Sequence, residues 1–258
     1  MMQALKQLYR RAVPYETRLL LYKWRHQAEF TRLRQAVNPS PKGDFSLKPF
    51  DEHRCIFIHI TKTAGTSVAT GLFGHLPYHY TAIDYRVIYG RKIFERYFKF
   101  AFVRNPWDRL YSAYRYLKAG GWNEEDRLWA ERYLSEYVDF NDFVCNWLTS
   151  ENIKTHLHFR PQCFFICDPS GKPLIDYMAY FETINDDFEY ISGLLDLDAS
   201  IPHHNANPGK SYREAYNETS KEIVAKVYHQ DISLLGYRFD KIERRHPLGN
   251  AKDQHIGE

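Results

Sequence analysis

A chain of 258 residues with 44% hydrophobic residues can bury a sizeable core, and one large α/β domain is the expected organisation. Charged residues make up 26% of the chain yet leave a net of only +3, so no global positive field points to nucleic acid as a partner. No stretch reaches the roughly 18 apolar residues of a membrane-spanning helix, and charges interrupt the first segment every few residues, so a cytoplasmic protein is expected.

The charge is unevenly spread. Residues 1–36 hold Lys6, Arg10, Arg11, Arg18, Lys23, Arg25, Arg32 and Arg34 against only Glu16 and Glu29. Within this arm, residues 15–36 (YETRLLLYKWRHQAEFTRLRQA) have the pattern of one basic amphipathic helix. Two placements are open: docked on its own domain with a solvated basic face, or lying peripherally on the anionic inner surface of a membrane. Residues 38–48 (NPSPKGDFSLK) have the turn chemistry of a linker. The expected division is therefore arm and linker over 1–48, main domain over 49–245 and tail over 246–258.

Residues 55–60 (CIFIHI) form a short, nearly continuous apolar run, as expected of a central strand covered on both faces. A polar loop, Thr61-Lys62-Thr63-Ala64-Gly65-Thr66-Ser67, and a helix follow at once. Residues 98–103 (FKFAFV) repeat the unit, with Arg104 closing the strand. Asn105 suits the N-cap of the next helix, Pro106 its first position and Asp108 the positive end of its dipole, while Gly120-Gly121 end it. Helical stretches are expected over 124–137 and 140–148, a β-rich run at 163–166 (CFFI), a strand at 177–181, and helices over 185–195 and 220–235. Strands alternating with helices predict a central parallel sheet flanked by helices in three layers. The cysteines Cys55, Cys145, Cys163 and Cys167 lie in apolar or aromatic runs with no CxxC pair, and are read as buried free thiols of a reducing compartment; no metal is expected.

A small, hydroxyl-rich loop between a buried strand and a helix gathers backbone amides and a helix N-terminus around one point, which suits a phosphate. Gly65 would permit a tight backbone path, Thr63, Thr66 and Ser67 could donate hydroxyl hydrogens, and Lys62 adds a cation. Because Lys62 precedes Gly65, the spacing is not that of GxxxxGK[ST], and neither strand ends in a magnesium-binding carboxylate. In the second unit, Arg104 at a strand end and Ser112 on the next helix can grip one phosphate from two sides, with Arg109 on the face of Ser112.

Together, residues 60–68 (ITKTAGTSV) and 100–116 (FAFVRNPWDRLYSAYRY) resemble the two nucleotide-binding motifs of the sulfotransferase superfamily, in its carbohydrate branch with the bacterial members of family 2. Residues 158–188 and 205–239 resemble later parts of that family, so the likeness runs over about 53–240. It implies a P-loop-NTPase-like α/β fold and transfer of a sulfonate group from 3'-phosphoadenosine 5'-phosphosulfate to a carbohydrate hydroxyl. It also implies that Lys62, Thr63, Ala64, Gly65, Thr66 and Ser67 hold the 5'-phosphosulfate end, and Arg104 and Ser112 the 3'-phosphate.

Sulfonate transfer needs charge neutralised on the leaving phosphate, which suits Lys62, and a base for the acceptor hydroxyl. His79, followed by YTAIDY, resembles the family's catalytic histidine better than His75, the next candidate. Lys210, Ser211, Tyr212 and Arg213 occupy a loop where the family closes over the nucleotide, and His156, His158 and Arg160 are candidates for the acceptor side. Two other readings stay open: a P-loop-like small-molecule kinase, and a non-catalytic nucleotide- or glycan-binding protein with this fold.

Overall fold

The computed structural model of the chain describes residues 12–41, 43–202 and 211–243. The arm is two helices, α1 (Tyr15–Arg25) and α2 (Gln27–Gln35), broken at His26 where one was expected. Arg34 ties the arm to the domain: its Nε donates to Asp51 at 2.9 Å and its guanidinium lies 4.5 Å from the centroid of the Tyr89 ring. Lys23 donates to the Tyr89 carbonyl at 3.2 Å. The outer face of α1 leaves Leu20 and Trp24 63% and 78% exposed. The expected linker contains a two-stranded antiparallel ribbon, β1 (Val37–Asn38) with β2 (Phe45–Ser46), before α3 (Lys48–Glu52).

The main sheet has three parallel strands in the order β3 (Cys55–Phe57), β4 (Phe98–Val103) and β5 (Tyr177–Tyr180). Central β4 pairs on both edges, setting Phe57 against Phe100 and Val103 against Tyr180. All six of its residues are buried, which is why its sequence is an apolar run and not an alternation. The exception in composition, Lys99, ends in an ion pair with Asp176 at 2.7 Å and a bond to the Tyr97 carbonyl at 2.7 Å, so its buried charge is matched.

Strand β3 leads into α4 (Gly65–Phe73), then α5 (Ala82–Tyr89) and α6 (Arg91–Arg96) carry the chain to β4. The helix after β4, α7 (Pro106–Lys118), starts as its sequence predicts: the Asn105 side chain accepts from the Trp107 amide at 3.0 Å, with Pro106 at the first position. Next come α8 (Glu124–Tyr133), α9 (Phe140–Trp147) and the short α10 (Gln162–Ile166). Helix α11 (Ile184–Leu194) follows β5, and α12 (Tyr212–Ala215), α13 (Glu218–Val227) and α14 (His229–Leu235) are the last helices of the described residues. One core surrounds the sheet; a second, built on Trp107, Leu110, Phe143 and Trp147, joins α7, α9 and α13.

Further expectations are corrected. The single helix expected over 220–235 is two, α13 and α14, broken at Tyr228. The CFFI run is helix α10, because buried Asp231 accepts from the amides of Gln162 and Cys163 at 2.7 and 2.8 Å and so caps it. The apolar run at 55–60 pairs as a strand only as far as Phe57. Cys145 is exposed, whereas Cys55, Cys163 and Cys167 are buried.

Candidate active site

The C-terminal ends of all three strands open into one cleft of about 1560 Å³, lined by residues after β3 (His59, Thr61, Lys62 and Ala64 to Ser67), after β4 (Arg104, Asp108) and after β5 (Phe181, Asn185). Open α/β sheets place their ligands at this edge. Among the described residues, no helix is long and apolar enough to cross a membrane and no cluster of His, Cys, Asp or Glu could hold a metal ion.

The first loop is built by two residues in the left-handed region, Lys62 at φ 65° and Ala64 at φ 63°. Gly65 serves differently than its sequence suggests: a Cβ there would fall well under 3.0 Å from the His59 ring. The glycine exists because an imidazole packs against the first turn of α4. Thr63 is fully buried and its hydroxyl donates to the Ile60 carbonyl at 2.9 Å, so it stiffens the loop and turns no hydroxyl toward the cleft. Ala64, Gly65, Thr66 and Ser67 line the cleft at the N-terminus of α4. The Ser67 hydroxyl is buried without a hydrogen-bond partner, a donor kept dry at a helix N-terminus, which fits a phosphate oxygen.

Buried Arg109 fastens this loop from α7. Its guanidinium donates to the Thr61 carbonyl at 2.8 Å, the Thr61 hydroxyl at 3.0 Å and the Arg160 carbonyl at 2.9 Å, so it anchors loops instead of joining Ser112 in the cleft. Arg104 faces the cleft above the Phe181 ring, 4.0 Å from its centroid. Its Nε donates to Asp108 at 2.8 Å and its Nη1 to the Lys62 carbonyl at 3.2 Å, linking the two loops. Gln162 holds its backbone on both sides, accepting from the Arg104 amide at 2.9 Å and donating to its carbonyl at 2.7 Å. Ser112 lines the same cleft one turn beyond Asp108.

The Lys62 ammonium lies 3.8 Å from the centroid of the Tyr116 ring. Burial, and then the charge of Arg104, bring its pKa down to about 8, against the opposing pull of Asp126. His79 lies on the same cleft, its Nδ1–H donating to the His59 carbonyl at 2.8 Å and its ring 4.2 Å from that of His59. That bond leaves Nε2 as the unprotonated nitrogen. Burial lowers the pKa of His79 below 6.5, and that of His59, fully enclosed, well below it. His75 bonds to the Phe73 carbonyl at 3.0 Å and is not among the residues lining the cleft.

Asp126, on α8, is a site residue that the sequence does not single out, lying in an acidic first turn. It is nearly buried beside His156 at 3.3 Å and His158 at 3.8 Å, and accepts from the Tyr116 hydroxyl and the Trp122 amide at 2.9 Å each. Burial alone would raise its pKa, but these hydrogen bonds outweigh that and hold the carboxyl well below the usual carboxylate range. Burial also takes His158 down to about 4, so it stands neutral beside the carboxylate. Arg160 lines the cleft with its guanidinium 4.6 Å from the Phe164 ring centroid. Ser211, Tyr212 and Arg213 also line the cleft, where the Tyr212 hydroxyl donates to the Phe239 carbonyl at 2.5 Å; Lys210 lies outside the described residues.

A parallel sheet flanked by helices, with a lysine-bearing loop and a strand-end arginine at its C-terminal edge, defines a P-loop-like α/β fold. The sequence model of the Sulfotransferase family matches residues 79–238, well over half of the chain. The chain belongs to the sulfotransferase family, whose general activity is transfer of a sulfonate group from a donor to an acceptor. The matched span takes in His79, Arg104 and Ser112, while the loop at 61–67 precedes it. No curated protein and no solved structure matches the chain.

Proposed function

We propose that the protein transfers sulfonate from 3'-phosphoadenosine 5'-phosphosulfate to a hydroxyl of a carbohydrate. The observation that carries this reading is that Lys62 and His79 line one cleft in complementary protonation states, a cation and a histidine whose Nε2 is free to accept a proton. Residues 64–67 hold the 5'-phosphosulfate end through backbone amides and the Ser67 hydroxyl, and Arg104 with Ser112 grips the 3'-phosphate. Ser211 and Tyr212 close the rim.

In the reaction, His79 Nε2 takes the proton of the acceptor hydroxyl as its oxygen attacks sulfur in line with the leaving phosphate. The bond between sulfur and the bridging oxygen breaks, and Lys62 stabilises the negative charge left on that oxygen. The acceptor side supports a sugar by its size and lining. The cleft exceeds the roughly 300–1,000 Å³ of a single small-ligand site, leaving room for donor and acceptor together. Exposed Trp122 offers an aromatic face, and His158 and Arg160 offer polar contacts.

The test is incubation with 3'-phosphoadenosine 5'-phosphosulfate and parallel panels of neutral glycans, acidic glycans and simple phenols, with sulfonated products read by mass spectrometry. The proposal expects sulfonated glycan, abolished by His79→Ala. Sulfonation of phenols alone would contradict the carbohydrate assignment.

A further inference from the structure

The aromatic ring beneath Lys62 has no assigned part in sulfonate transfer, and neither has the carboxylate behind it. Tyr116 lies on α7 one turn beyond Ser112, so the helix that supplies the serine of the arginine–serine grip also sets this ring under the first loop. The Tyr116 hydroxyl is held at 2.9 Å by Asp126, and His158 meets the ring edge-on at a centroid distance of 4.9 Å, fixing its plane. Asp126 is itself fixed by the Trp122 amide and His156.

We propose that Tyr116 and Asp126 are positioning residues for Lys62, the ring acting as a seat for the ammonium and the carboxylate locking that seat in place. A lysine on a flexible stem beside Arg104 and Arg109 would otherwise be pushed into solvent by like charge. The face of an aromatic ring attracts an ammonium while leaving its outward hydrogens available to a ligand. Asp126, bonded to the far end of that ring through the Tyr116 hydroxyl, favours the charge on the ammonium. The groups facing Lys62 are thus Arg104 and Arg109, which disfavour its charge, Asp126 and Tyr116, which favour it, and neutral His158.

The inference rests on the role given to Lys62 above, but its test needs neither donor nor acceptor. Acetic anhydride labels only the neutral amine, so labelling of Lys62 followed by peptide mass spectrometry across a pH series reports its midpoint in the free, full-length chain. The parent should show a midpoint of about 8. Tyr116→Leu, which fills similar volume and keeps the site dry, should lower it by about one unit, a tenfold loss of proton affinity. Asp126→Asn should shift it in the same direction, and Tyr116→Phe, which keeps the ring but loses the bond to Asp126, should fall between the parent and the leucine variant. Asp126→Asn preserves side-chain shape and carries the test alone if the leucine variant does not fold, as read by circular dichroism. Midpoints unchanged from the parent in folded variants would overturn the proposal. Lowered midpoints in a chain that transfers no sulfonate would retain the lysine seat and reject the reaction assigned to it.

Discussion

The Nδ1–H of His79 donates to the backbone carbonyl of His59 at 2.8 Å, and the two rings lie 4.2 Å apart. One bond thereby selects the tautomer of the proposed base, and burial lowers its pKa although that same bond pulls the other way. His79→Ala should lower kcat by about a hundredfold or more, the ordinary worth of a general base, with little change in nucleotide affinity. Steady-state kinetics beside calorimetric titration of the nucleotide checks this; parallel losses in both would make His79 a structural residue.

The pH profile has a definite shape. His79 acts as base only when neutral, so activity should rise through its pKa, which burial places below 6.5. Lys62 acts only when protonated, so kcat/KM should fall as pH rises through about 8 in the free enzyme. In Lys62→Arg the alkaline limb should disappear, since guanidinium does not titrate in this range. An unchanged alkaline limb in that variant would assign it to another group.

Gly65→Ala should destabilise the fold by about 1–3 kcal/mol, because its Cβ would collide with the His59 imidazole at a well-packed site. The same displacement would disturb His79, so activity should fall as well. Urea unfolding of Gly65→Ala, His59→Ala and the double variant checks the cause: relief of the clash predicts a double variant more stable than additivity allows.

Gln162→Leu should cost about 2–4 kcal/mol, because it strips partners from both the amide and the carbonyl of Arg104 behind the cleft. Chemical denaturation measures the loss. A cost below 1 kcal/mol would mean that water replaces the amide there.

Much of the fold is legible in the sequence wherever local chemistry decides it. Strand β4 follows its apolar run from Phe98 to Val103, and the Asn105-Pro106 start of α7 needs no distant partner. The CFFI segment reads as a strand because short aromatic runs suit either state, and the residue that decides for helix, Asp231, is 69 positions away from Gln162 in sequence. The site divides in the same way. Lys62, Arg104 and Ser112 stand in recognisable motifs, and the structure brings them to one cleft. Asp126 looks like any acid in a first helical turn until His156, His158 and Tyr116 gather on it from other elements. Tyr116 left one signal, its spacing of four from Ser112 on a helix, and His59 left none beyond interrupting an apolar strand.

The most direct test of the account is calorimetric titration of the purified chain with adenosine 3',5'-bisphosphate, adenosine 5'-monophosphate and ATP with magnesium, repeated on Arg104→Ala. The account predicts that the bisphosphate binds tightest in the parent and loses its advantage over the monophosphate in the variant. Equal binding of bisphosphate and monophosphate to the parent, or preference for ATP with magnesium, would contradict it.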